Sequence, residues 1–287
     1  MNILISCNDQ YTMPTMVMLT SLFSGGCLGA QVYMLESELS DSANSRIEKL
    51  VVQHGGTYIR VHLPEDLFSL SKTRSHISKE TYYRLLAAQY LPEELDRILW
   101  LDSDLIVRKN VQPFYETPFE GKMAVACGYG PAMQDLIYSN AVSLNLKSPE
   151  TYFNAGVMLM DLEACRRKIS EESVFHLSAQ ESTTALLFPG QDVVNLIFDG
   201  CVKIEDYRRY NCMTHCIVSS EDLTFAKEHA AIVHFPGAAK PWKFHDIPFA
   251  DEWMEWYAGC FGDVPKPRRM SYFRLKELYE KQESVKR

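Results

Sequence analysis

Short apolar runs alternate with helical stretches from the first residues onward. This alternation restricts the chain to a parallel or mostly parallel sheet covered by helices. Runs at residues 2–7, 31–35, 57–62 and 97–101 read as strands. Between them one helix opens near Pro14, a second starts at Ser40 and is stopped by Gly55-Gly56, and a third follows Ser78 and ends at Pro92. On the second, Ile47, Leu50, Val51 and His54 recur at helical spacing and define one core face. Further strands are expected at 123–127, 157–161, 202–204 and 231–234, with a short helix at 191–198 behind the Pro189-Gly190 turn. No repeat or low-complexity linker interrupts the pattern. The reading is an α/β chain with one body, residues 1–262, and a small helical tail, residues 263–287.

The 287 residues, 46% hydrophobic and 23% charged, suit a soluble globular protein, and no apolar run approaches the roughly 20 residues of a membrane span. Ile3, Leu4 and Ile5 follow the start without a basic region or a small-residue cleavage site, so a cytoplasmic protein is expected. Eight cysteines without a CxxC pair suggest reduced thiols. A net charge of −8 argues against nucleic acid as a partner. The tail differs: residues 264–287 hold eight Lys or Arg against three Glu, interleaved with Tyr272, Phe273, Leu275 and Tyr279. Such a segment is either a solvated terminal helix or a peripheral contact with the inner face of an anionic membrane.

The strongest local feature is RILWLDSDLIV, where an apolar run delivers Asp102 and Asp104 at a strand end. Ligands of open α/β sheets gather outside the carboxyl ends of the strands. Two carboxylates on one strand face repel unless a cation lies between them. Asp-x-Asp is by itself as often an ordinary turn. A second segment, AIVHFPGAAKPW, ends another apolar strand at His234 and continues through Gly237, Lys240 and Trp242. Two aspartates and a histidine make a mixed N/O site that suits Mn²⁺, with Mg²⁺ as the alternative. Lys240 can supply a point charge to phosphate oxygens, and Gly237 can admit them close to the backbone.

FNAGVMLMDL presents Asn154 and Gly156, and GQDVVN presents Gln191 and Asp192, whose amide and carboxylate groups can fork onto sugar hydroxyls. Asp192 also reads as a helix cap, and Asn154 as a turn residue. At the first strand's end, CNDQY offers Asn8, Gln10 and Tyr11, which either stack on and hydrogen-bond a base or cap the first helix. Arg84 either points into the same cleft or sits on the surface, the usual place for an arginine.

In order, CNDQY, HISKETYYRLL, LDSD, FNAGVMLMDL, GQDVVN and HFPGAAKPW resemble glycosyltransferase family 8 over residues 1–245. That family of retaining enzymes includes bacterial lipopolysaccharide galactosyl- and glucosyltransferases and, more distantly, glycogenin. The resemblance implies a GT-A fold, a Rossmann-like, mostly parallel central sheet flanked by helices. It implies UDP-glucose or UDP-galactose as donor, a glycan, lipid-linked or protein acceptor, and Asp102, Asp104 and His234 as Mn²⁺ ligands. It assigns Asn8, Gln10, Tyr11 and Ile77 to the nucleotide, Gly237 and Lys240 to the diphosphate, and Arg84, Asn154, Gly156, Gln191 and Asp192 to the donor sugar. Gly190 and Asn8 stand where many relatives carry aspartate.

Retention requires either a covalent sugar–enzyme intermediate or same-face attack on an oxocarbenium-like species. The uncharged amide of Gln191 is a poor nucleophile, which favours same-face attack; Asp192 is the candidate nucleophile for the other route. A non-catalytic nucleotide-sugar or carbohydrate-binding protein and an Asp-x-Asp phosphohydrolase are the competing classes. Neither a monomer nor a homo-oligomer is favoured.

Overall fold

The computed structural model describes residues 1–64, 67, 80–180, 186–262 and 265–274. Its strands are β1 Asn2–Ile5, β2 Gln31–Glu36, β3 Thr57–His62, β4 Arg97–Leu101, β5 Leu105–Val107, β6 Ala124–Cys127, β7 Asn154–Asp161, β8 Val202–Glu205, β9 Cys212–Met213 and β10 Ile232–His234. The helices are α1 Thr12–Ser24, α2 Asp41–Gln53, α3 Glu80–Tyr90, α4 Gln112–Tyr115, α5 Pro131–Ser143 and α6 Leu162–Lys168, followed by α7 Glu171–Gln180, α8 Gln191–Ile197, α9 Tyr207–Tyr210, α10 Ser220–His229 and α11 Ala250–Phe261. Each expected strand and helix within the described residues is present, with ends displaced by up to three residues.

A seven-stranded sheet runs in the order β3-β2-β1-β4-β7-β6-β8. The pairs from β3 to β4 are parallel, as is β6 with β8, whereas β7 is antiparallel to both β4 and β6. The mostly parallel sheet expected from the alternation is therefore present. Successive residues of its central strands face opposite sides. Ile3, Ile5, Leu99 and Leu101 pack with Leu19, Phe23, Ile47 and Val51 of α1 and α2. Leu4, Ile98 and Trp100 pack with Tyr82, Leu86, Leu162 and Val193 of α3, α6 and α8. With both faces covered, the strands read as unbroken apolar runs.

The sequence pattern does not announce a second sheet, β5-β10-β9, backed by Trp253 and Tyr257 of α11. Its strands are only two or three residues long, too short for a period to emerge. The chain crosses from the large sheet to the small one between Leu101 and Leu105. That crossing is Asp102-Ser103-Asp104.

Ser40 caps α2 as expected, its hydroxyl accepting from the Ala43 amide at 3.2 Å. Ile77 and Ser78 lie outside the described residues, as do residues 275–287 of the tail. The described part of the tail is fastened to the body: the Met270 amide donates to the Lys243 carbonyl, the His245 amide to the Met270 carbonyl, and Tyr272 packs on Phe244 with ring centroids 5.1 Å apart. No helix among the described residues is long and apolar enough to cross a membrane.

Candidate active site

Asp102 and Asp104 converge because they occupy the crossing between sheets, which corrects the expectation that a single strand aligns them. The backbone ladders extend through this link: the Asp102 amide donates to Gly156 C=O at 2.9 Å, and the Phe235 amide to Asp104 C=O at 3.0 Å. Ser103 is buried between them, its hydroxyl 2.8 Å from that of Thr15 on α1 and 3.4 Å from the Ser6 carbonyl. In the small sheet β10 pairs antiparallel with β5 and places His234 opposite Leu105. One ligand atom from each of Asp102, Asp104 and His234 lies within 4.8 Å of the others.

A divalent cation fits this arrangement. The donor set, two carboxylates and an imidazole, is one that would hold Mn²⁺ or a similar divalent ion. Gly156 leaves the room: a Cβ there would overlap His234 Cε1 and stand 3.0 Å from Asp102 Oδ2. His234 Nε2 lies 3.3 Å from Asp104 Oδ1, while His234 Nδ1 lies 2.9 Å from Asn211 Oδ1.

Two cations balance the two carboxylates. Arg84, only 6% exposed, pairs with Asp102 Oδ1 at 3.0 Å, donates to the Ala155 carbonyl and lies 4.4 Å above the Trp100 ring. The surface alternative for Arg84 is thereby excluded. Trp100 Nε1–H donates to the same Asp102 oxygen at 2.7 Å. Lys240 is buried against Asp104 Oδ2 and donates to the Phe235 carbonyl at 2.8 Å. It returns there because Gly237, at φ +73°, reverses the loop after β10. Burial opposes ionisation of Asp104, but its polar partners, the Lys240 ammonium first among them, outweigh it and hold its carboxyl well below the usual range. Burial likewise acts to lower the pKa of Lys240, and attraction to Asp104 raises it above its ordinary value.

A cavity of about 200 Å³ opens over this group, and Arg84, Asp102, Asp104, Asn154, Gly156, Gln191, His234 and Gly237 are among its walls. Gln191 heads α8, and its Oε1 accepts from Tyr129 OH and Asn154 Nδ2, both at 3.0 Å. Asp192 turns away from the cavity. Fully buried, it accepts from Tyr152 OH, from Asn140 Nδ2 at 2.8 Å and from the Phe188 amide at 2.9 Å. Burial raises its pKa despite these donors.

Asn8, Gln10 and Tyr11 lie beyond the carboxyl end of β1, in and before a single 3-10 turn, Asp9–Tyr11, that leads into α1. Asn8 caps this turn, accepting from the Tyr11 amide at 3.3 Å, whereas α1 itself begins after Tyr11 without a side-chain cap, so the reading of a cap on the first helix is met only at the turn before it. Tyr11 meets Trp242 edge-on, with centroids 5.8 Å apart. Asn211, Tyr129 and Tyr152 also belong to the site, although no sequence motif singles them out. Asn211 precedes a strand of two residues, which leaves no pattern to read.

A family model described as "Glycosyl transferase family 8" matches residues 2–246. General stress protein A of Bacillus subtilis (strain 168) is 22% identical over 270 residues, 88% of this chain and 92% of that protein. A lipopolysaccharide 1,2-glucosyltransferase of Escherichia coli is 31% identical over 173 residues, 58% of this chain and 49% of the relative, so the match spans about half of that protein. Among solved structures, the galactosyltransferase LgtC in complex with donor and acceptor sugar analogues is similar at a TM-score of 0.76 and 22% identity, over 93% of this chain and 98% of that one.

Proposed function

The chain belongs to glycosyl transferase family 8 and has the GT-A fold, and from that premise we propose that it is a retaining hexosyltransferase. In this reading it moves glucose or galactose from a UDP-sugar to a glycan, lipid-linked or protein acceptor in the cytoplasm, using Mn²⁺ in preference to Mg²⁺. The observation that carries the reading is the convergence of Asp102, Asp104 and His234 on the cavity floor. Family membership removes the support for a phosphohydrolase.

The cavity is smaller than the ~300 Å³ at the lower end of whole-ligand pockets, which suits the sugar and phosphate end of the donor. Tyr11 stacks on the base, with Asn8 and Gln10 at its edge; Ile77, outside the described residues, is assigned to the nucleotide by the family resemblance alone. Gly237 admits the diphosphate close to the backbone. When bound, the cation supplies a Lewis acid for the leaving diphosphate. Lys240 exchanges its carboxylate partner for phosphate oxygens and meets the charge that develops on them. Arg84 keeps Asp102 aimed, and the amide of Gln191 stabilises the reacting face of the sugar. The turned-away carboxylate of Asp192 supports same-face attack over a covalent intermediate, and Asp192 positions Gln191 through Tyr152, to which Gln191 Nε2 donates at 3.2 Å.

The test is UDP release from UDP-glucose and UDP-galactose, with Mn²⁺, Mg²⁺ or excess chelator. Cation-dependent release from either donor is expected even without an acceptor. Binding of UDP-sugar with no release would replace the enzyme by a binding protein, and release that survives chelation would remove the cation. A glycosyl-Asp192 adduct in the mass spectrum would overturn same-face attack.

A further inference from the structure

We propose that Asn211 is a positioning residue that fixes the tautomer of His234, leaving Nε2 free as a cation ligand. Amide oxygen and nitrogen are assigned from their partners, so the argument starts from a group with only one role. The Gly156 backbone N–H can only donate, and it meets Asn154 Oδ1 at 3.0 Å. That oxygen also faces Asn211 at 2.9 Å, which requires the Asn211 amide nitrogen on that side. The Asn211 oxygen therefore points the other way, to His234 Nδ1 at 2.9 Å. An amide oxygen accepts, so Nδ1 carries a proton; in the neutral ring, the form that binds a cation, the lone pair is then on Nε2, on the side of Asp104.

With the opposite tautomer, His234 would donate from Nε2 to Asp104 and close the site as an ordinary buried hydrogen bond. Asn211 decides between these states. It is fully buried, and the parallel pairing of β9 with β10 holds it beside His234. Asn154 works in both directions. Its oxygen serves Gly156 and Asn211, while its NH₂ donates to Gln191 Oε1 at 3.0 Å and approaches Tyr129 OH at 3.3 Å. Both ends of the Asn154 amide are thus committed to protein partners, and its contribution is to tie the orientation of Gln191 to that of the ligand set.

The inference rests on the proposed cation site, and its test separates the two. In protein labelled with ¹⁵N-histidine and free of metal, the nitrogen shifts of His234 report the tautomer directly. Protonated Nδ1 is expected in the wild type; protonated Nε2 alone would overturn the assignment, whatever the protein binds. Asn211→Leu removes the acceptor at similar volume. With UDP present, its Mn²⁺ affinity, read from free Mn²⁺ by electron paramagnetic resonance, should fall about 10- to 100-fold, the usual effect of losing an outer partner of a ligand. Asn211→Asp, which keeps an oxygen facing Nδ1, should bind at least several-fold more tightly than Asn211→Leu. A folded Asn211→Leu with wild-type Mn²⁺ affinity would also overturn it. If the wild type itself binds no Mn²⁺ in the presence of UDP, the cation reading falls while the tautomer result still judges Asn211.

Discussion

Gly156 stands against His234 so closely that a methyl group added to its Cα would overlap the imidazole and lie 3.0 Å from both His234 Nδ1 and Asp102 Oδ2. The glycine therefore provides space within the proposed ligand set. Gly156→Ala should displace His234 or Asp102 rather than unfold the sheet, because overpacking by one methyl typically costs ~1–3 kcal/mol. We expect a modest drop in melting temperature, at least a ~10-fold loss of Mn²⁺ affinity and a ~100-fold loss of kcat/KM. Unchanged Mn²⁺ binding by titration calorimetry would show that the cation lies elsewhere.

Asp104 has a structural partner as well as a proposed ligand role. Asp104→Ala removes the carboxylate from Lys240, an ammonium only 7% exposed. Stranding a buried charge typically costs ~3–5 kcal/mol, so the single variant should lose stability along with activity. Adding Lys240→Met should restore most of the melting temperature and none of the turnover. If the double variant is no more stable than Asp104→Ala in a denaturant titration, the buried pair is not the origin of the loss.

The cluster of Asp102, Asp104 and His234 is legible in the sequence because its members stand at the ends of apolar strands, Asp102 after β4, Asp104 before β5 and His234 closing β10. The way the triad is assembled is hidden. Asp102 and Asp104 meet His234 through a second sheet whose strands are too short to carry a period. Arg84 reads either as a cleft residue or as an ordinary surface arginine, and nothing local decides between them, because its partners Asp102 and Ala155 lie on other elements. The amide relay joins Asn154 to Asn211 across 57 residues, a distance over which local patterns say nothing.

Away from the site, Glu36 closes the end of β2 at 1% exposure and accepts from Arg60 Nε at 2.7 Å and His62 Nδ1 at 3.1 Å. Burial acts to raise its pKa, but the Arg60 and His62 hydrogen bonds outweigh it and hold the carboxyl below its ordinary value. A depressed folded-state pKa gives stability that is present above the unfolded pKa and is lost as pH falls through the folded one. Glu36→Gln should therefore be less stable at neutral pH by up to ~1.5–3 kcal/mol, the range for hydrogen bonds to charged groups. The gap in melting temperature between wild type and variant should narrow as the solution is acidified below the carboxylate range. A gap that is constant with pH would mean that packing, and not charge, is what the substitution removes.

Charge balance at the cavity floor predicts that cation and nucleotide bind together. Asp102 and Asp104 are already offset by Arg84 and Lys240, so the formal charge of these four side chains together is zero. A divalent ion alone leaves a buried site with two excess positive charges, whereas a diphosphate arriving with it compensates them. UDP should therefore tighten Mn²⁺ binding by at least ~10-fold, within the usual range of coupling between sites, and Mn²⁺ should tighten UDP binding by the same factor. Lys240→Met tests the cause: with one positive charge removed, Mn²⁺ alone should bind more strongly and the coupling should shrink. Equal Mn²⁺ affinity with and without UDP in calorimetric titrations would mean that the cation does not sit between these carboxylates and the diphosphate.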